Sequence, residues 1–431
     1  MKNNSRAPIR RLLPLRSPSG SDRLTSSGFL KRREFVRTAG ALAVGLSYAG
    51  SAKSDTPASW TKAGSEFSNY GQPNAQNNRV IRWISANPAV PGEGVSWTPL
   101  HELEGTITPN GLHFERHHNG VPEIDANQWK LVIHGKVKNA LSFTLDTLHR
   151  YPMQSRICFI ECGGNSNALW NPSPVQAAAG HLHGLVSCTE WTGVRLAHLL
   201  DEAGIDSQAN WLVADGLDAS GVSVSVPISK CLDDVLIALY QNGEPLRSEN
   251  GFPARLVVPG WEGIVNLKWL RSLQLSDKPL WSKFETVSYT DLLSSGKAER
   301  MSFTMGVKSL ITSPSAGQQL QDPGFYEISG LAWSGAGHIE RVEVSADAGE
   351  SWHEAELQDP VLDKALTRFR AAWAWDGQAR VLMSRAYDSK GRVQPMRKEL
   401  IDNKGHNVFY HYNAVLAWHI DTRGAITHVY G

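Results

Sequence analysis

Cys162 stands in the run Arg156–Asn167, which reads RICFIECGGNSN. The segment Ile157–Ile160 has the length and β-branched content of a buried strand, and Gly163-Gly164 just after Cys162 mark a tight loop. A strand that ends in such a loop holds a thiolate at one fixed point with backbone packed close around it. Sulfur anions select soft or high-valent metals over calcium or magnesium, so the chemistry this position suits is metal ligation. Two plainer readings stand beside it: an inert buried thiol, or half of a disulfide. Four cysteines in all (Cys158, Cys162, Cys188, Cys231) are too few to frame a chain of 431 residues with disulfides. No CxxC pair occurs, which removes zinc ribbons and thioredoxin-type exchange, and no CxxCH occurs to attach a c-type haem. Electrons handled here are expected to leave to another protein. Further upstream, His113 and the pair His117-His118 offer imidazoles to zinc or copper, but no Cys or His follows at a fitting second spacing.

The elements that must position Cys162 read as a mixture. An N-terminal extension, 53–102, is polar at first, rich in Pro, Gly and Asn over Ser54–Asn78. From about Leu103 to Ser276, short apolar runs alternate with Gly/Pro turns and a few helical patches. Leu196–Ala203 and Cys231–Tyr240 are the clearest predicted helices; Trp129–Val137, Trp211–Ala214 and Ala254–Val258 are predicted strands. This texture is α+β, and no GxGxxG or GxxxxGK[ST] motif points to a nucleotide. Past the polar stretch Ser294–Arg300 the pattern changes to short alternating strands: Phe325–Trp333, Ile339–Ser345, Trp352–Leu357, Phe369–Trp375 and Arg380–Tyr387. Strands at this spacing, divided by turns such as Asp347-Ala348-Gly349, predict an immunoglobulin-like sandwich. The boundary falls near Met301, giving a first domain over 103–300 and a second over 301–431. Aromatics after it, Trp333, Trp352, Trp373, Trp375, Tyr410 and Tyr412 among them, belong to a class enriched in interface cores.

Charge is distributed unevenly. The chain carries 43 Lys/Arg and 42 Asp/Glu, but residues 1–52 hold ten of the former and two of the latter, leaving 33 basic against 40 acidic residues beyond them. A net of −7 over that remainder argues against nucleic acid as a partner. The basic leader contains Arg32-Arg33-Glu34-Phe35-Val36 ahead of a weakly apolar Ala/Gly-rich run, with Gly50-Ser51-Ala52 as a small-x-small step. That is the pattern of a twin-arginine export signal over 1–52, which delivers folded proteins to the periplasm and implies a cofactor inserted before export. No later stretch is apolar over 18 uninterrupted residues, so no membrane span is expected.

Taken in order and spacing, FERHH at Phe114–His118, ECGGN around Cys162, GLVSCTEWTGVRL from Gly184, YQNGEPL from Tyr240, and GFPARLVVPGWEG followed by LKWL resemble the sulfite oxidase family of molybdenum enzymes. GLAWSGAGHIERVEVSADAGESW is similar to that family's dimerisation sandwich. The resemblance implies an α+β molybdopterin-binding domain followed by the all-β sandwich. It also implies a molybdenum held by a molybdopterin and by the thiolate of Cys162. Phe114, Arg116, His118 and Lys268 fall at cofactor-contacting positions, Lys268 at the one that meets the pterin phosphate; Arg116 and Tyr240 fall at catalytic ones. Within the family the chain most resembles the sulfane-dehydrogenase branch of bacterial (Sox) sulfur oxidation, through FIECGGNS, ALYQNGEP, MGVKSLITSPS and FYHYN. That branch implies oxidation of carrier-protein-bound persulfide sulfur, a dihaem c-type cytochrome partner, and a homodimer or heterotetramer.

Departures from the family bear on substrate. Where free-sulfite oxidases have an arginine five residues after the ligand cysteine, this chain has Asn167; where they have a tryptophan 19 residues after it, this chain has His181. Their near-terminal arginine has no counterpart in HYNAVLAWH. Asn167 and His181 are therefore expected to line a wider, less cationic mouth. The alternative implied by the same resemblance is a sulfite:cytochrome c oxidoreductase.

Overall fold

The computed structural model describes residues 69–74, 80–301 and 303–431. The expected export signal 1–52, with its cleavage step, and much of the extension lie outside the described residues. Strands β1 (Trp83–Ala86), β2 (Gly94–Trp97) and β3 (Glu115–His117) make an antiparallel sheet that carries Arg116. Next come β4 (Leu131–Gly135), β5 (Leu141–Phe143), helix α1 (Leu145–Leu148), β6 (Met153–Glu161), α2 (Ala179–His183), β7 (Val186–Arg195), α3 (Leu196–Ala203), β8 (Trp211–Gly216) and β9 (Ser223–Pro227). The first part is completed by α4 (Ile228–Asp233), β10 (Leu236–Gln241), β11 (Glu244–Pro245), β12 (Arg255–Val257), β13 (Leu270–Ser276), β14 (Thr290–Leu292) and β15 (Ala298–Arg300).

Two sheets organise these strands. One runs β11-β10-β7-β6 with β12 also against β10; the other runs β5-β4-β13-β8-β9, with β4 and β13 parallel. Helix α3 forms where predicted. Leu196, Leu199, Leu200 and Ala203 recur at helical spacing and are all fully buried, and Gly204 ends the helix at φ 70°, its N–H reaching the carbonyls of Leu200 and Asp201. The helix predicted over Cys231–Tyr240 is not found: α4 stops at Asp233 and β10 begins at Leu236. Residues 235–239 are apolar without a break and buried on both faces between neighbouring strands, a pattern periodicity alone cannot assign to helix or strand.

The second part contains β16 (Lys308–Ser313), β17 (Gly324–Trp333), β18 (Ile339–Ser345), β19 (His353–Glu354), β20 (Glu356–Leu357), β21 (Thr367–Trp375), β22 (Arg380–Asp388), α5 (Arg397–Lys404), β23 (Leu416–Ile420) and β24 (Ile426–Val429). Sheets β16-β17-β21-β20 and β19-β18-β22-β23-β24 close a sandwich. The strand predicted over Trp352–Leu357 is two, one in each sheet, with the chain crossing at Ala355. Trp333, Trp373, Trp375 and Tyr412 fill the sandwich interior, so they are core rather than interface.

The sequence changes texture near Met301, but the core does not divide there. Phe159, Leu169, Trp170 and Val186 of the first part belong to one apolar cluster with Leu310, Trp333 and Trp418 of the sandwich. Arg368 of β21 donates to the carbonyls of Leu103 (3.1 Å) and Gly105 (2.9 Å), and Lys364 pairs with Asp234 at 2.6 Å. The Cys162 loop sits at this junction.

Candidate active site

Strand β6 delivers Cys162 one residue past its end. The Cys162 N–H donates to the Leu185 carbonyl (2.9 Å), and the Cys162 carbonyl accepts from Asn165 N–H (2.9 Å), closing a tight turn. Asn165 braces the turn through its side chain, donating to Glu161 Oε1 at 2.9 Å and accepting from Leu185 N–H at 3.1 Å. Contact excludes a side chain at Gly163 and crowds one at Gly164. A β-carbon on Gly163 would stand 1.8 Å from Oε1 of the fully buried Glu262, and one on Gly164 would stand 3.1 Å from the Phe409 ring. Glu262 is held in turn by His411, 2.9 Å from its other oxygen, while His411 N–H donates to the Gly163 carbonyl at 2.9 Å.

Behind the loop lies a buried ion pair. Lys308 Nζ approaches Glu161 Oε1 at 3.1 Å and donates to Ser166 Oγ at 2.7 Å; Trp333 Nε1 donates to Glu161 Oε2 at 2.7 Å. Ser166 also meets His183 Nδ1 at 2.8 Å. Thus residues of the sandwich satisfy the carboxylate adjacent to Cys162.

In front of the loop, a narrow inner cleft of about 70 Å³ opens into an outer bowl of about 810 Å³. Cys162, Arg116, His118 and Tyr289 line both. Burial pushes the Cys162 thiol up to about 11, opposed by the Gly164 N–H and the Arg116 guanidinium. Left alone it stays a thiol; a bound metal cation reverses that preference by replacing the proton. Burial, then Arg116, bring His118 down to about 4, so it is neutral near pH 7. Its Nε2 is buried with no hydrogen-bond partner among the described residues.

Two basic side chains in the inner cleft also lack ion-pair partners among the described residues, although Glu115 and Asp218 stand near enough to Lys268 to oppose its desolvation. Lys268 Nζ contacts the carbonyls of Arg116 (3.1 Å) and Glu249 (3.3 Å) and Nδ1 of His117 (2.8 Å), over the Trp269 ring at 4.2 Å. Arg255 donates to the carbonyls of Asn266 and Asn250, both at 3.1 Å, with its guanidinium 5.1 Å from the Trp191 ring centre. Desolvation, reinforced by Arg255, drives Lys268 well below its usual value, and desolvation brings Arg255 down to about 9. Among the described residues no carboxylate lies within ion-pair distance of either. A thiol, an unpartnered imidazole and two basic side chains held by carbonyls rather than by ion pairs fit an anionic, metal-bearing cofactor, with the thiol as the soft metal ligand and the basic groups as partners for phosphate.

The predicted site residues separate into two groups. Phe114, Arg116, His118, Cys162 and Lys268 converge on the cleft, and Asn167 lines the outer bowl. Tyr240 and His181 do not reach it. A bulge between Ala238 and Tyr240 turns Tyr240 outward, where its hydroxyl meets His149 Nε2 at 3.1 Å. His181 is exposed in the middle of α2 and packs on Trp83, with ring centres 5.1 Å apart. The tyrosines at the cavity are Tyr289 and Tyr410, stacked at 5.0 Å and missed in the sequence reading, as were Arg255 and Glu262. The zinc or copper reading of the histidines fails on direction. His113 bonds the Phe114 carbonyl, His117 turns to Glu115 and His118 to the Phe284 ring; no cluster of three metal-binding side chains occurs among the described residues.

Comparison with known proteins gives the geometry a lineage. Residues 118–284 match the oxidoreductase molybdopterin binding domain, and residues 299–417 the Mo-co oxidoreductase dimerisation domain. Sulfite oxidase of Gallus gallus is 30% identical over 68% of this chain and 69% of that protein. Mitochondrial sulfite oxidase of Mus musculus is 32% identical over 69% of this chain; the chain spans about half, 55%, of its length. Among solved structures, the sulfane dehydrogenase SoxCD of Paracoccus pantotrophus superposes with a TM-score of 0.82 at 41% identity, covering 86% of this chain and 96% of that one.

Proposed function

The chain belongs to the sulfite oxidase family of molybdenum oxidoreductases, and from that we propose that it is the molybdenum subunit of a sulfane dehydrogenase. Its substrate is a persulfide sulfur borne on a carrier protein, oxidised to the sulfonate level, with electrons passed to a dihaem c-type cytochrome. The observation that carries this reading over free-sulfite oxidation is the charge of the bowl. Among the described residues its lining cations are Arg116 and Lys283, Arg116 already faces Glu93 at 3.4 Å, and Asn167 stands on the rim. A small dianion needs several cationic donors, and a tethered sulfur does not, because contacts remote from the reacting atom can bind and orient it.

The bound molybdenum cofactor supplies oxygen-atom and two-electron transfer chemistry. The protein's own residues hold and orient. Cys162 would ligate the metal, and Lys268 and Arg255, which line the cleft with Phe114 and Trp269, would hold the cofactor's anionic group. Arg116 presents its guanidinium where negative charge collects on oxygen. Tyr289 stays protonated, since burial raises it well above its usual value, and so serves as a hydrogen-bond donor. Water supplies the oxygen atoms, and protons leave with the electrons. The twin-arginine leader supports periplasmic action after export in the folded state, and the dimerisation-domain match supports an oligomer. No helix among the described residues is long and apolar enough to cross a membrane.

The test is kcat/KM for free sulfite and for a persulfide-loaded carrier on the same purified complex with cytochrome. Sulfite is expected to be poorer by about 10²- to 10⁴-fold, the effect of two absent charged hydrogen bonds. Equal or better turnover of sulfite would favour the second reading, a sulfite:cytochrome c oxidoreductase, which the identity to sulfite oxidases supports.

A further inference from the structure

We infer that Phe409, supplied by the sandwich domain, is a specificity-determining residue that admits a low-charge sulfur to the metal ligand and turns oxyanions away. The inference rests on the sulfane reading and names the side chain that enforces it. Phe409 lies between α5 and β23, and its ring covers Gly164. A β-carbon built there would be 3.1 Å from the ring and 3.9 Å from Cys162 Sγ, so the ring edge lies within about 7 Å of the sulfur, and both line the bowl. Phe409 is 48% exposed, yet its backbone is fixed: Phe409 N–H donates to Asp291 Oδ1 at 2.7 Å and Tyr410 N–H to Asp291 Oδ2 at 3.2 Å. Two residues on, His411 N–H bonds the Gly163 carbonyl at 2.9 Å, and Tyr410 packs edge-on to the Phe409 ring with centres 4.9 Å apart.

Phe409 is also a divide. It lines both the bowl and an adjoining surface groove of about 540 Å³, and shares that position with Asn167. A chain segment lying in the groove would bring its terminal sulfur past the Phe409 ring and Asn167 on the way to Cys162. Aromatic edges make favourable contacts with polarisable sulfur, whereas a charged oxygen placed against carbon loses its hydrogen bonds. The same ring thus favours one class of substrate and penalises the other.

The experiment compares wild type, Phe409→Leu and Phe409→Arg as holoproteins matched for molybdenum content. It measures kcat/KM for glutathione persulfide and for sulfite, and titrates unreactive sulfate by calorimetry. Phe409→Leu is expected to lower the persulfide value by about threefold to tenfold and leave sulfite unchanged. Phe409→Arg is expected to raise sulfite relative to persulfide by about 10- to 100-fold and to tighten sulfate binding by a similar factor. Unchanged sulfate affinity in Phe409→Arg, or an unchanged substrate ratio in both variants, overturns the role of Phe409. A wild-type preference for sulfite overturns the sulfane reading instead, and the sulfate titration still decides what Phe409 does to oxyanions.

Discussion

Lys308 and Lys268 are two sequestered lysines on opposite sides of Cys162, and their surroundings differ in kind. Lys308 is 1% exposed and finds a carboxylate, Glu161, itself held by Trp333 and Asn165. Lys268 finds carbonyls, an imidazole and an indole face, with no carboxylate at ion-pair distance among the described residues. An internally neutralised charge is part of the scaffold, complete as the polypeptide folds. A charge left among neutral dipoles is costly until an outside anion arrives. The contrast separates what holds the loop from what holds the ligand, with no need to see the ligand.

Substitutions can break that contrast. The largest effect should come from between the lysines: Cys162→Ser is expected to reduce turnover to background with little loss of thermal stability, since a hydroxyl is too hard and too weakly acidic to replace a thiolate on molybdenum. Turnover near wild type would mean the ligand lies elsewhere. Lys308→Met comes next. It strands the Glu161 carboxylate and should lower unfolding free energy by about 3–5 kcal/mol in urea melts, while the double variant with Glu161→Gln should recover most of that loss. If the single and double variants melt alike, the pair is not acting as a unit. Lys268→Met should do the reverse, leaving the apo-protein as stable or more so and weakening cofactor retention by about 10- to 100-fold, read as molybdenum per chain after dialysis.

The smallest expected effect per group concerns histidines that found no counter-charge. Burial brings His101 to about 4 and His113 to about 3, the latter with help from Arg255, and lowers His183 well below its usual value. Their folded values lie below the unfolded one, so between pH 6.5 and 5.5 the unfolded chain binds the extra protons. Stability is full above that window and falls as pH drops through it, by about 1 kcal/mol for each histidine. A flat unfolding free energy across this interval would show that these imidazoles are not buried as neutral groups.

How much of this was legible depended on how local each signal was. Cys162, its two glycines and the sandwich strands are written in adjacent residues, and the sequence reading located them. The inner cleft was legible only through the family resemblance, which implied cofactor contacts for Arg116, His118 and Lys268; these side chains line the cleft with Cys162. Tyr240 was misplaced because one bulged residue reverses the facing of everything after it, and no sequence period records a bulge. Tyr410 could not be picked out, since it meets the bowl only once a loop of the sandwich domain folds back onto the first part, and Tyr289 sits in a short loop with no motif around it. Glu161 and Lys308 lie 147 positions apart, and Glu262 and His411 lie 149 apart, so neither member announces its partner.

Those separations also set a clock for biosynthesis. Lys308, Trp333 and His411, which brace the Cys162 turn, are all translated well after it. A ribosome that has released Cys162 has not yet made the groups that neutralise Glu161 and pin Gly163. The turn therefore takes its final shape only once the chain through His411 is available, and a chain cut short of that residue leaves it unbraced. Closure of the Cys162 turn thus reports, through contacts the fold itself makes, that the chain has been synthesised as far as His411.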